Sequence, residues 1–297
     1  RLDVLFERGV ANGVDLEILN ESFLSKLEPL ARTNSRFIWS PTTADSDPKS
    51  IISAIRREFT SMGGVIDFGV EIKLIEKSGE VIELSNRYRA KKIVNAAGAQ
   101  ADRISRAINV GTEFAMLPFM GTYRVTDPVN LPLRRLVYPV PHPLNPFLGV
   151  HFTLTPGGLV KIGPTAIPLF GREQYSPFSD WSISDIGQAI KGTRALIQGQ
   201  VHDFGSIIKS EWPKVFLHNL VRESSLLVPS SGEVSKWSRK PPGIRAQLVH
   251  IPTGRLEQDF VVKPYLNSIH VLNAVSPGWT SAIPFGKWIV DRFLATV

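Results

Sequence analysis

Apolar positions along this chain switch several times between helical and alternating spacing. Leu2, Leu5 and Phe6 fall at helical spacing, and Asn12-Gly13 stops the run. Glu21 to Leu27 reads as a second short helix, closed before Pro29. Ser46-Asp47-Pro48 supplies an N-cap with a proline in the first turn, and Ile51, Ile52, Ala54, Ile55 and Phe59 make an apolar face behind it. Met62-Gly63-Gly64 ends that helix. Val65, Ile66 and Phe68 then predict a strand, and Val70 to Ile75 alternates so as to pair with Val81 to Leu84 across Lys77-Ser78-Gly79. Tyr88 to Val94 feeds a further strand into Asn95-Ala96-Ala97-Gly98, with a helix starting near Ala101.

The texture changes from Gly111. Strand-like runs follow at short spacing, Phe119 to Val125, Leu136 to Val140, Phe147 to Thr153 and Leu159 to Gly163, parted by turn residues such as Pro156-Gly157-Gly158. Trp181 to Ile197 and Ile207 to Leu220 read as helices. Ile244 to His250, Asp259 to Val262 and Ile269 to Val275 read as strands, the last running into a helix from Trp279 to Leu294. This order predicts an α/β chain with an α+β insertion: a discontinuous Rossmann-like dinucleotide-type domain over 1–110 and 240–297, and a substrate domain built on an antiparallel sheet over 111–239.

Composition narrows the function classes. With 43% hydrophobic and 21% charged residues the chain is an ordinary globular one, and no apolar run reaches the ~18 residues of a membrane span. The absence of cysteine excludes disulfides, thiolate catalysis and Cys-ligated zinc. The six histidines show no i, i+4 pairing with acidic partners, so no metal site is expected. The net charge of +7 comes from scattered basic residues with no aromatic interleaving; this speaks against nucleic acid and is compatible with anionic small molecules or a membrane surface.

Two segments carry candidate chemistry. In Lys91 to Asp102 a strand ends in four small residues, Ala96, Ala97, Gly98 and Ala99, before a helix; such a turn lets a diphosphate or ribityl chain approach the backbone, and an ordinary tight β-to-α turn has the same spacing. In Ile269 to Ser281 a strand runs into Ser276-Pro277-Gly278-Trp279-Thr280-Ser281, whose N–H groups suit a carbonyl or a partial negative charge; an ordinary capped helix has the same spacing. His151, in an apolar β run, suits a base with a pKa near 7 or a satisfied core histidine. Arg245, in Gly243-Ile244-Arg245-Ala246-Gln247, suits a bidentate carboxylate grip or an internal ion pair. Tyr123 is a candidate donor, with Tyr138 and Gln247 behind it. His270 and Trp279 read as packing residues or cofactor neighbours, and Arg134-Arg135 as a solvated pair.

Together these segments resemble the glycine-oxidase and D-amino-acid-oxidase superfamily of FAD enzymes. The run Tyr138 to Thr153, Lys161-Ile162-Gly163-Pro164-Thr165-Ala166, Gly243 to Leu248, Leu27-Glu28-Pro29 and Asp45 to Lys49 look like its L-2-hydroxyglutarate dehydrogenase/oxidase branch. The resemblance implies FAD-dependent oxidation of a 2-hydroxy acid, L-2-hydroxyglutarate to 2-oxoglutarate, by hydride transfer to flavin. It implies catalytic roles for His151, Arg245 and Tyr123. It places Val70, Ala96, Ala97, Gly98, Asp102, Pro277, Gly278, Trp279, Thr280 and Ser281 along the cofactor, Val70 near its adenine. Oxygen, a quinone or a carrier protein would each serve as electron acceptor. The expected location is cytoplasmic or peripheral to an inner membrane, and mitochondrial in a eukaryote. An amino-acid or amine oxidase of the same superfamily and a truncated, non-catalytic relative are the alternative readings.

The chain departs from that branch at His142, where Asp is usual, and at Thr165, where Asn is usual. It also holds 23 glycines of which no two are separated by one residue, so the Gly-x-Gly-x-x-Gly fingerprint is not in it. The βαβ unit of about 30 residues that carries it is missing, which reads as either a fragment or a decayed relative.

Overall fold

Asp47 caps the helix Pro48–Ser61, its carboxylate accepting from the N–H groups of Lys49 and Ser50 at 3.2 Å each. The apolar face behind that cap lies open: Ile52, Ile55 and Phe59 are 41–52% exposed and no residue of the helix is buried among the described residues. These elements come from a computed structural model that describes residues 1–72, 75–78, 81–85, 87–141, 149–176, 182–200, 204–274 and 278–294. The chain divides into two compact units. The first comprises Arg1–Asp67, Gly121–Ile167 and Ile207–Pro242; the second comprises Phe68–Met120, Pro168–Ser206 and Gly243–Val297.

The first unit is built on antiparallel strands. Val160–Gly163 lies between His151–Leu154 and the strand Phe119–Thr126, with Lys161 opposite Thr153 on one side and Val125 on the other. Alternation sends Phe152, Val160 and Ile162 into a core completed by Leu131, Leu133, Val150, Leu220 and Val228. The expected helix Ile207 to Leu220 is interrupted. Phe204–Glu211 gives way to a 3-10 turn, Trp212–Val215, and then to Leu217–Ser224, because Pro213 has no N–H to continue the ladder.

The second unit holds three small sheets, one of them formed by Ile75–Ser78, Val81–Leu84 and Tyr88–Ala90. Leu248–His250 pairs antiparallel with Phe114–Met116 and Arg255–Leu256. Ser268–Asn273, every residue of which is buried, pairs parallel with Ile93–Asn95 and antiparallel with Val261–Tyr265. Val81–Leu84 pairs antiparallel with Ile75–Ser78 rather than with the expected run Val70 to Ile75: Lys77 and Ser78, expected in the turn, lie in the strand opposite Ile82 and Val81. The strand expected at Val65 to Phe68 does not form, nor does one through Val70: Val65 and Phe68 are 81% and 76% exposed, and Gly69 at φ +68° breaks the extended run.

These units differ from the expected spans 1–110 plus 240–297 and 111–239. Residues 1–67 belong with the antiparallel sheet of the first unit. The buried Glu28 carboxylate accepts the N–H groups of Arg134 at 2.6 Å and Arg135 at 2.8 Å, and Arg32 N–H donates to the Leu227 carbonyl. The helix Ile183–Gly199 belongs to the second unit because it lies against Phe114–Met116 and Leu248–His250; a Cβ on Gly192 would meet Val249, Ala115 and Leu117 at 3.4–3.5 Å.

Candidate functional site

Antiparallel register sorts the candidate residues of the first unit onto one sheet face. Phe152 and Ile162 face the core, so their neighbours His151, Thr153, Lys161 and Gly163 face the other way. Tyr123, two residues before Val125 on the adjoining strand, joins them. Lys161 Nζ lies 5.3 Å from the Tyr123 ring centroid. A two-way backbone bridge between Val137 and Phe152 brings Tyr138 alongside, and its ring stacks on His151 with centroids 4.5 Å apart.

His151 is set up as a neutral base. Its Nδ1 lies 2.9 Å from the Gly149 carbonyl, which can only accept, so Nδ1 carries the proton and Nε2 keeps its lone pair. Burial pushes the imidazole below its ordinary value of 6.5; the Gly149 carbonyl pulls it up and the Lys161 charge pushes it down again, with a net lowering. Burial raises the Tyr123 phenol above 10.0, so it remains a donor at neutral pH. The Tyr138 phenol is raised too, by burial first, with an opposing hydrogen bond to Thr153. Thr165, one of the two residues that depart from the branch pattern, is buried, and its Oγ1 accepts the Thr122 N–H at 3.0 Å.

In the second unit the parallel pair Ile93–Asn95 and Ser268–Asn273 brings the two small-residue segments to the same edge, the carboxyl ends of the strands. Ala96, Ala97 and Gly98 are exposed there, Gly98 at φ +57° with nothing within 4 Å of where a Cβ would sit. Beneath them Asn95 is buried. Its Nδ2 donates to the Ala101 carbonyl at 2.8 Å and lies 3.0 Å from His270 Nδ1, while its Oδ1 accepts the Ala97 N–H at 3.3 Å. That orientation makes His270 Nδ1 an acceptor and leaves the ring proton on Nε2, which donates to Ser268 Oγ at 2.9 Å. His270 is thus the clamp under the turn, a role its place in an apolar strand did not announce. Trp279, 42% exposed, Gly278, Thr280 and Ser281 form the turn ahead of the helix Ala282–Leu294; Pro277 and His142 lie outside the described residues.

Other candidates fall elsewhere. Asp102 is fully buried and bound to Arg172, with Arg106 Nε at 3.4 Å, so its carboxylate is taken up inside the protein. Arg172 itself, unmarked in the sequence, reaches Asp102, Asp185 and the Ala99 carbonyl. Gln247 Nε2 donates to the backbone carbonyls of Leu248 and Glu257. Arg245, the last residue of the strand Ser238–Arg245, is half-buried, and burial lowers its guanidinium pKa. Val70 is half-buried outside any strand. A shallow depression of about 720 Å³ between Phe216, His218, Arg222 and Trp237 is lined by none of the expected site residues.

The profile of FAD dependent oxidoreductases matches residues 1–292. This chain belongs to that family. L-2-hydroxyglutarate dehydrogenase of Escherichia coli (strain K12) is 33% identical over 299 residues, covering 98% of this chain and 69% of that protein. The mitochondrial L-2-hydroxyglutarate dehydrogenase of Caenorhabditis elegans is 32% identical over 311 residues, covering 98% and 70%. Among solved structures, dithionite-reduced L-alpha-glycerophosphate oxidase from Mycoplasma pneumoniae, with FAD bound, superposes with a TM-score of 0.68 at 20% identity, covering 99% of this chain and 69% of that one. The shared fold is that of an FAD oxidoreductase with mixed helices and antiparallel sheets.

The residues of this chain fit an FAD group. An exposed run of small residues stands at the carboxyl edge of a parallel strand pair, with open space above Gly98 and a buried amide holding its backbone. No described helix is long and apolar enough to cross a membrane.

Proposed function

We propose that the protein oxidises L-2-hydroxyglutarate, or a closely related 2-hydroxy acid, to the 2-oxo acid. The observation that carries this reading is His151: a half-buried imidazole with its proton fixed on Nδ1 and the Nε2 lone pair kept, in a chain similar to L-2-hydroxyglutarate dehydrogenases. In this reading Ala96, Ala97, Gly98 and Gly278 to Ser281 would hold FAD, which supplies the acceptor for two electrons and the C2 hydrogen. Nε2 of His151 takes the hydroxyl proton as the carbinol becomes a carbonyl. Tyr123, kept protonated, donates a hydrogen bond to the substrate oxygen, and Arg245 grips a carboxylate with its planar fork. Tyr138 holds the imidazole plane by stacking. In a eukaryote the location would be mitochondrial, as in the nematode relative.

The test is anaerobic. FAD-loaded protein is mixed with L-2-hydroxyglutarate or with a panel of amino acids, and flavin absorbance is followed. Bleaching by the hydroxy acid, slowed at least 100-fold in His151→Asn, is the expected result. Bleaching by an amino acid and not by the hydroxy acid overturns the reading in favour of an amine oxidase.

A further inference from the structure

Lys161 is a charged side chain on the His151 face to which the reading above gives no task. Its neighbours Val160 and Ile162 are both 0% exposed and fill the core, so the lysine stands on the opposite surface, two residue pairs along from His151 and Gly163. It is itself half-buried. Its ammonium lies over the Tyr123 ring, and no described carboxylate lies within ion-pair distance of it. Lys214 and Lys263, also withdrawn from solvent, behave differently: each reaches a glutamate at 2.8 Å, Glu211 and Glu113. Withdrawing an ammonium from water without a counter-charge is unfavourable, and a ring face compensates only part of the loss. A site with that imbalance is completed by an anionic ligand.

The neighbouring arginines do not offer the same site. Arg134 and Arg135 are both exposed, and the Arg135 guanidinium donates to the Arg134 carbonyl at 3.1 Å and lies over Trp39 at 5.7 Å. On Lys161, by contrast, the charge, an aromatic ring and the proposed base share one face. Diagonal cross-strand neighbours stand ~7–8 Å apart. An extended five-carbon dicarboxylate measures about 5 Å from its carbinol carbon to its far carboxylate oxygen, and a hydrogen bond of about 2.8 Å to the lysine brings the span to such a gap.

Resting on the proposed function, we infer that Lys161 is a specificity-determining residue that binds the substrate carboxylate remote from the reacting carbon, and so selects dicarboxylic over monocarboxylic 2-hydroxy acids. The ammonium also stands close enough to His151 to favour the neutral imidazole, so one lysine both places the substrate and keeps the base ready.

The test compares the wild-type protein with Lys161→Met and Lys161→Arg, after unfolding midpoints confirm that all are folded. Two ligand pairs are used: L-2-hydroxyglutarate against L-2-hydroxyvalerate as substrates, and glutarate against valerate in calorimetric binding. Losing a charged hydrogen bond predicts a fall of roughly 10- to 100-fold in the kcat/KM ratio of dicarboxylate to monocarboxylate in Lys161→Met. The loss should lie mainly in KM, glutarate affinity should fall alongside, and Lys161→Arg should recover most of both. An unchanged ratio, or glutarate binding equal in all three proteins, overturns the inference while leaving the functional reading standing. If the wild type oxidises neither hydroxy acid, the functional reading fails instead, and glutarate affinity alone then decides for or against Lys161.

Discussion

Replacing Arg172 by methionine tests the electrostatic centre of the second unit. The Arg172 side chain is 3% exposed, its Nη2 lies 3.0 Å from Asp102 Oδ2 and its Nε lies 2.7 Å from Asp185 Oδ1. Methionine fills similar volume and removes the charge, leaving two carboxylates in a buried place. Breaking such a pair typically costs about 3–5 kcal/mol, because the stranded charge loses its partner and does not regain water. Asp185 keeps Arg103 at 2.6 Å and Asp102 keeps Arg106 at 3.4 Å, so the lower end applies, about 3 kcal/mol. At ~2–4 °C per kcal/mol for chains of this order, the melting temperature should fall by ~6–12 °C. The assay is thermal and urea unfolding of Arg172→Met, Asp102→Asn and the double variant. Once Arg172 is gone, neutralising Asp102 should cost less than it does in the wild type. Single effects that add within about 0.5 kcal/mol would mean the two groups are energetically independent, and the account of a coupled buried network would be wrong. Flavin affinity is a second readout. Arg172 also bonds the Ala99 carbonyl, so its loss should loosen the turn that follows Gly98 and weaken FAD retention.

Gly163→Ala should damage the proposed catalytic face: Gly163 sits at φ +134°, and a Cβ there would meet the Thr122 carbonyl at 2.6 Å and Tyr123 Cδ1 at 2.8 Å. We expect a loss of about 1–3 kcal/mol in unfolding free energy and a fall in turnover, read by urea titration and steady-state kinetics; a wild-type-like variant would show that Tyr123 is not held by this contact. His270 is held neutral, burial pushing its pKa below 6.5, and a protonated Nδ1 would face the Asn95 amide donor. Because the folded value is depressed, the unfolded chain binds the extra proton. His270 therefore contributes stability that is full above about pH 6.5 and is lost as pH falls below it. Melting temperatures measured from pH 8 to pH 5 should drop more steeply for wild type than for His270→Asn, which keeps an acceptor and does not titrate. Parallel curves would contradict the tautomer assigned here.

Much of the local structure was legible from residue order. The Asp47-Pro48 cap, the strand Val81–Leu84 and the strands at Val160 and Ser268 follow from capping and period-two alternation, which act over a few residues. The family and the flavin chemistry were legible too, because the run Tyr138 to Thr153 and the segment Asn95 to Gly98 are contiguous stretches of chain. Only the tertiary structure decided which long-range partners those stretches meet. Asp102 had the local look of a residue beside a cofactor, and a buried arginine seventy positions later took its carboxylate. Nothing near Arg172 in the chain marks it as charged and buried. Lys161 and Tyr123 became neighbours through strand register, in which pairing by one residue more or less would turn either side chain to the other face. Sequence order thus determined the elements and the chemistry they offer, since both depend on short-range contacts. Which charges are satisfied, and which one is left facing the proposed base, depended on contacts between residues far apart in the chain.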